Sequence, residues 1–138
     1  MSNNLSSRKV VLFGTGEMGV AYSKILQHLG VDFSVVGRST AGVKRFNSLT
    51  GLMAVSDGFY GWKQHCKLDA EFAIVAVNVE ELSKVAIDLM NIGVRKMLLE
   101  KPAGLNPEEM KLVRDRAEET GTKIIVGYNR RFYASVLK

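Results

Sequence analysis

Residues 9–19, KVVLFGTGEMG, carry an unbroken apolar run into three glycines at G-x-G-x-x-G spacing. Val10, Val11, Leu12 and Phe13 read as a parallel strand covered on both faces, because a strand with one wet face would alternate apolar and polar residues. Gly14 then suits a tight turn, Gly16 a close backbone approach to a pyrophosphate, and Gly19 the packing of a following helix onto the strand. That helix would aim its N–H groups and the positive end of its dipole at the phosphates. Many loops use glycine for conformation alone, so an ordinary strand-to-helix turn is the competing reading. The strand before and the helix after favour a dinucleotide cradle formed by Gly14, Thr15, Gly16, Glu17, Met18 and Gly19.

Downstream, Val20, Ala21, Ile25, Leu26 and Leu29 recur at helical spacing, and Gly30 stops that helix. His28 falls on its solvated side, far from the phosphate end. A second strand is expected at 31–36, and its C-terminal end is where such a fold chooses its cofactor. An acidic residue there would bind the adenosine ribose 2′-hydroxyl and repel a 2′-phosphate. This chain has Gly37, Arg38, Ser39 and Thr40 instead, while Asp32 lies at the wrong end of the strand. Arg38 offers a planar cation for a phosphate, and Ser39 and Thr40 offer hydroxyls, which favours NADP over NAD. A charge-assisted contact of roughly 1.5 to 3 kcal/mol gives discrimination on the order of 10- to 100-fold. Alternatively, Arg38 is an ordinary solvated loop residue.

Val43, Phe46 and Leu49 mark a second helix ended by Gly51, and 52–55 reads as a short third strand. Ser56, Asp57 and Gly58 make a turn. Residues 59–68 read as an irregular crossover whose aromatics Phe59, Tyr60 and Trp62 either pack in the core or stack on a base. FAIVAV at 72–77 is the clearest buried strand. Asn78 then fits an N-cap with Glu81 as its capping-box partner, opening a helix whose apolar face is Leu82, Val85, Ala86, Leu89 and Met90. Asn78 also stands where it could touch a cofactor. A strand at 94–99 leads to Glu100, Lys101 and Pro102. Asn106, Pro107, Glu108 and Glu109 start another helix, with cap, proline at the first position and an acidic first turn. Gly121 ends it, and 123–127 is a further strand. Strand and helix alternate six times, which predicts a doubly wound, parallel six-stranded α/β sheet with ligand groups at the strands' C-terminal ends.

The 138 residues allow one ordinary domain. Apolar residues make up 46% and charged residues 24%, the balance of a soluble globular chain. No apolar stretch is long enough for a membrane span, and residues 1–7 lack the layout of a signal peptide, so a cytoplasmic protein is expected. The single cysteine, Cys66, fits a reducing compartment. The net charge of +5 is spread over many segments, with no basic block or helical stripe, which argues against nucleic acid. No metal site is expected.

Three motifs in order, GTGEMG at 14–19, EKPAG at 100–104 and GYNRRF at 127–132, resemble the N-terminal half of the Gfo/Idh/MocA oxidoreductases. The resemblance runs from Arg8 to the C-terminus and implies a Rossmann domain over 8–131, after a disordered lead at 1–7. Residues 132–138 would begin the helix leading to the family's second domain. The resemblance also implies NAD(P)-dependent hydride transfer on a sugar, nucleotide sugar or cyclitol. By it, Gly14, Gly16 and Gly19 contact the pyrophosphate, and Arg38 and Ser39 the adenosine end. Glu100 and Lys101 would line the nicotinamide site, with Lys101 hydrogen-bonding the reacting oxygen, and Asn129 and Arg130 would flank the cleft. A fixed ammonium suits that role because it stabilises negative charge developing on oxygen.

Two features depart from the family pattern. The stretch after the fourth expected strand is AVNVEEL, without the family's frequent T-P-N and nearby histidine, so only Asn78 matches. The family's second α+β domain, which by the resemblance supplies most substrate contacts and usually the catalytic histidine, is expected to be absent, and neither His28 nor His65 matches that histidine. Cofactor binding with little turnover is therefore expected of these 138 residues alone, and a non-catalytic nucleotide-sensing or interaction module is the alternative. Phe132, Tyr133, Val136 and Leu137 suggest self-association through an apolar C-terminal segment.

Overall fold

The computed structural model describes residues 9–56, 58–65 and 70–127. Asn129, Arg130, Cys66, the lead at 1–7 and the C-terminal apolar segment lie outside the described residues. Five parallel strands, β1 (Lys9–Phe13), β2 (Phe33–Val36), β3 (Ala70–Val75), β4 (Lys96–Glu100) and β5 (Lys123–Gly127), form one sheet. Their order is β2-β1-β3-β4-β5, so the chain runs outward from β1 in one direction and then crosses β1 to build the other side.

The helices between them are α1 (Glu17–Leu29), α2 (Thr40–Thr50), α3 (Gly58–His65), α4 (Val79–Asn91) and α5 (Pro107–Thr120). Strand residues alternate between two cores. Val11, Phe13, Ala73, Val75, Met97 and Leu99 face α4 and α5 with Leu82, Val85, Ala86, Leu89, Met90 and Val113. Leu12, Val35 and Ile74 face α1 and α2 with Leu26 and Phe46. Burial on both sides is why β1 and β3 read as continuous apolar runs. Helices α1, α2 and α5 stop at Gly30, Gly51 and Gly121, each in the left-handed conformation, as their sequences indicate.

The structure departs from the sequence expectation at 52–55 and within 59–68. The expected third strand at 52–55 contributes one parallel bridge, Val55 to Val36, so among the described residues the sheet has five strands and not six. Met53 is 84% exposed, and a stretch this short buries too little apolar surface to extend a ladder. The crossover that follows is helical from Gly58, not irregular. Phe59 and Trp62 on α3 are buried against Phe13, with the Trp62 ring edge-on to Phe13 at 5.4 Å between centroids. Their role is packing, whereas Tyr60 is about half exposed and lines a cleft at the C-terminal end of the sheet.

Candidate functional site

The β1–α1 turn is built around two contacts that admit no side chain. Gly14 has φ of +129°, and a Cβ there would lie 2.2 Å from the Ala76 carbonyl oxygen. A Cβ on Gly19 would lie 2.1 Å from the Gly14 carbonyl oxygen, so the helix start can sit on the turn only without one. Gly16 differs: a Cβ there would meet nothing within 4 Å. Its lack of a side chain leaves open space in front of the N-terminus of α1. Gly16 is the N-cap of α1 and provides no side-chain oxygen for the helix N–H groups, so the first turn stays available to an anion.

Backbone hydrogen bonds hold the neighbouring loops around this turn. Gly14 N donates to Val36 O at 2.9 Å, Ala76 N to Phe13 O at 2.8 Å, and Gly58 N to Gly37 O at 2.8 Å. Thr15 spans the gap between loops, and a methyl placed on Gly37 would lie 2.7 Å from its Cγ2. The result is a cleft of about 770 Å3 at the C-terminal ends of β1, β2 and β3. Gly14, Thr15, Gly16, Glu17 and Met18 line it, as do Arg38, Ser39 and Asn78 from the neighbouring loops. An open cradle with a bare helix N-terminus fits a diphosphate.

Arg38 stands at the rim, and its guanidinium is joined to the Glu81 carboxylate on α4. Ser39 is the N-cap of α2, its Oγ accepting from Gly42 N at 3.0 Å. Thr40 is the first residue of α2 and does not line the cleft. The capping box expected at Asn78 and Glu81 does not form, because Asn78 makes no side-chain cap and Glu81 reaches Arg38 instead. Further along α4, Lys84 donates to Tyr60 Oη and, at 3.2 Å, to Asp88 Oδ2. Those two contacts, Tyr60 first, raise the Lys84 pKa above its ordinary value.

Glu100 and Lys101, at the end of β4, do not line this cleft. Lys101 is exposed. Glu100 is 7% exposed and accepts a hydrogen bond from the Tyr22 hydroxyl on α1. A Cβ on Gly127 would lie 2.7 Å from Glu100 Oε2, so β5 also packs closely on this carboxylate. Burial, then the hydrogen bond and charge of Glu100, push the Tyr22 phenol above its ordinary value and keep it a donor. Ala103, two residues past Lys101, holds a left-handed φ of 78°, a strained state for a residue with a Cβ.

Tyr22, Lys84 and Asp88 are site neighbours beyond those expected from sequence, and Glu81 pairs with Arg38 rather than with its own helix cap. The Lys84 and Asp88 spacing of four residues was a readable helical pair. Tyr22 and Glu100 are 78 residues apart, and no local pattern links them. Among the described residues, no group of three or more His, Cys, Asp or Glu could hold a metal ion, and no helix is long and apolar enough to cross a membrane.

A glycine cradle at this end of a doubly wound sheet, with a cation one strand away, defines a dinucleotide-binding Rossmann domain. Residues 8–128 match the family GFO_IDH_MocA, described as an oxidoreductase family with an NAD-binding Rossmann fold. The chain belongs to that family, as its three motifs implied.

Among solved structures, the WlbA dehydrogenase from Bordetella pertussis, in complex with NADH and UDP-GlcNAcA, superposes with a TM-score of 0.79 at 16% identity. That alignment covers 94% of this chain and 40% of that one. The WlbA dehydrogenase from Chromobacterium violaceum, with the same two ligands, gives 0.77 at 16% identity over 94% of this chain and 37% of its own. GenD2 from gentamicin A biosynthesis, in complex with NAD, gives 0.76 at 22% identity over 92% and 36%. These likenesses establish the fold, and the chain spans well under half the length of each. No curated protein matches it significantly.

Proposed function

We propose that this domain binds NADP in preference to NAD for an oxidoreductase that transfers a hydride to or from a sugar, nucleotide sugar or cyclitol. The observation that carries the reading is the bare helix N-terminus at Gly16, held by the close-packed Gly14 and Gly19, in a cleft that Arg38 also lines. The pyrophosphate would lie against the first turn of α1, where N–H groups and the helix dipole favour an anion. Arg38, at the end of β2, would pair with the 2′-phosphate, and Asn78 and Ser39 would contact the nucleoside side. The nicotinamide ring, when bound, supplies or accepts the hydride.

Glu100 and Lys101 stand at the end of β4, two strands from β1. That position supports a role at the nicotinamide half, with Lys101 stabilising the reacting oxygen; a place for Asn129 and Arg130 beside it rests on the sequence motif alone. UDP-GlcNAcA in the WlbA structures supports a sugar-like substrate class. A cytoplasmic location fits the proposal, since the pyridine nucleotides are intracellular.

Fluorescence titration with NADPH and NADH tests the reading. Tighter binding of NADPH, with that advantage lost in Arg38→Ala, is the expected result. Equal affinities unaffected by Arg38→Ala would withdraw the NADP assignment, and failure of both cofactors to bind would withdraw the whole reading.

A further inference from the structure

The Arg38 guanidinium does not wait alone for a phosphate. Glu81, on the first turn of α4, reaches across the cleft and engages it, although the two residues are 43 positions apart and on different elements. Among the described residues the carboxylate has no other side-chain partner. Asn78 leaves the capping role to its backbone carbonyl, which accepts from Glu81 N at 2.8 Å, and the Glu81 side chain is not drawn back to the cap. The nearest cation on the same helix, Lys84, is already engaged by Tyr60 and Asp88. Both Arg38 and Glu81 line the cleft.

We infer that Glu81 is a specificity-determining residue that competes with the 2′-phosphate of NADP for Arg38. The inference rests on the dinucleotide reading above. A 2′-phosphate carries close to two negative charges and must take the guanidinium from a carboxylate that then remains beside it. A 2′-hydroxyl makes no such demand. Arg38 thus favours NADP and Glu81 opposes it, so the chain discriminates less sharply than an arginine at the end of β2 would by itself. The balance is set by two residues facing each other across the cleft.

The test is a titration of the 138-residue chain with NADPH and NADH, in the unaltered form and as Glu81→Gln, Arg38→Ala and the double variant. Glu81→Gln should tighten NADPH about tenfold, the equivalent of 1.4 kcal/mol, and move NADH less than about threefold. In the Arg38→Ala background the same change should raise the NADPH to NADH ratio by less, since only repulsion of the 2′-phosphate is then relieved, whereas a merely structural role would move both cofactors alike in both backgrounds. Glu81→Asp retains the charge on a shorter arm and should fall between the two, so the inference does not depend on one variant folding. A ratio unchanged by Glu81→Gln, with Arg38→Ala still lowering NADPH affinity, would overturn the role of Glu81 and leave the dinucleotide reading intact. Weakened NADH in Glu81→Gln would make Glu81 a ribose ligand and overturn the competition. Binding of neither cofactor to the unaltered chain would remove both readings.

Discussion

The Tyr22 hydroxyl on α1 donates to the buried Glu100 carboxylate at the end of β4, joining residues 78 positions apart. The bond ties the helix that starts at the phosphate cradle to the strand end that carries Lys101. It therefore fixes α1 against the end of β4.

Tyr22→Phe removes the donor and keeps the ring. Because Glu100 is buried, losing a partner should cost about 1 to 3 kcal/mol of stability, measured by urea unfolding. A change under about 0.5 kcal/mol would mean that Glu100 finds another donor.

The same pair sets an alkaline limit. The folded state favours the protonated phenol, whose pKa is raised. The stabilisation is complete below about pH 10, where the unfolded tyrosine still holds its proton, and is lost as pH rises through the native value. Urea midpoints should fall above pH 10, and Tyr22→Phe should flatten part of that fall. A parallel profile for the variant would assign the loss to other groups.

The three cradle glycines should separate cleanly. Gly14→Ala and Gly19→Ala force a Cβ onto backbone carbonyls and should destabilise the fold by about 1 to 3 kcal/mol or more. Gly16→Ala meets nothing and should stay folded, with a near-normal melting temperature. It should nevertheless weaken both cofactors at least about tenfold, or 1.4 kcal/mol. Unchanged affinity in Gly16→Ala would show that the pyrophosphate lies elsewhere.

Trp62, the single tryptophan, reports on α3. It is 5% exposed and edge-on to Phe13, so its emission should be blue-shifted and should move red on unfolding. Trp62→Ala should cost about 3 to 5 kcal/mol. A small loss would place α3 outside the cooperative core.

The two asparagine caps should behave differently. Asn106 Oδ1 accepts from Glu109 N at 2.9 Å, so Asn106→Ala should cost about 1 kcal/mol. Asn78 makes no such bond, and Asn78→Ala should change thermal stability by no more than a few tenths of a kcal/mol. Equal losses at both positions would contradict this account of the caps.

Local chemistry made much of this domain legible in the sequence. Apolar runs at 10–13 and 72–75 mark strands because both of their faces are covered, and Gly14 and Gly19 mark the turn because no Cβ fits there. Asn106 with Pro107, and the glycines after α1, α2 and α5, place helix ends by the hydrogen-bonding needs of the backbone at that point. These features depend on neighbours within a few residues, and pattern alone expresses them. Tertiary structure decided what depends on distant partners. It reduced 52–55 to a bridge, since an edge stretch forms a strand only if enough of it is buried. It turned Glu81 from a helix cap into the partner of Arg38, because a carboxylate on α4 gains more from a guanidinium across the cleft than from its own first turn. It also joined Tyr22 to Glu100, a pairing that exists only once α1 and β4 are side by side.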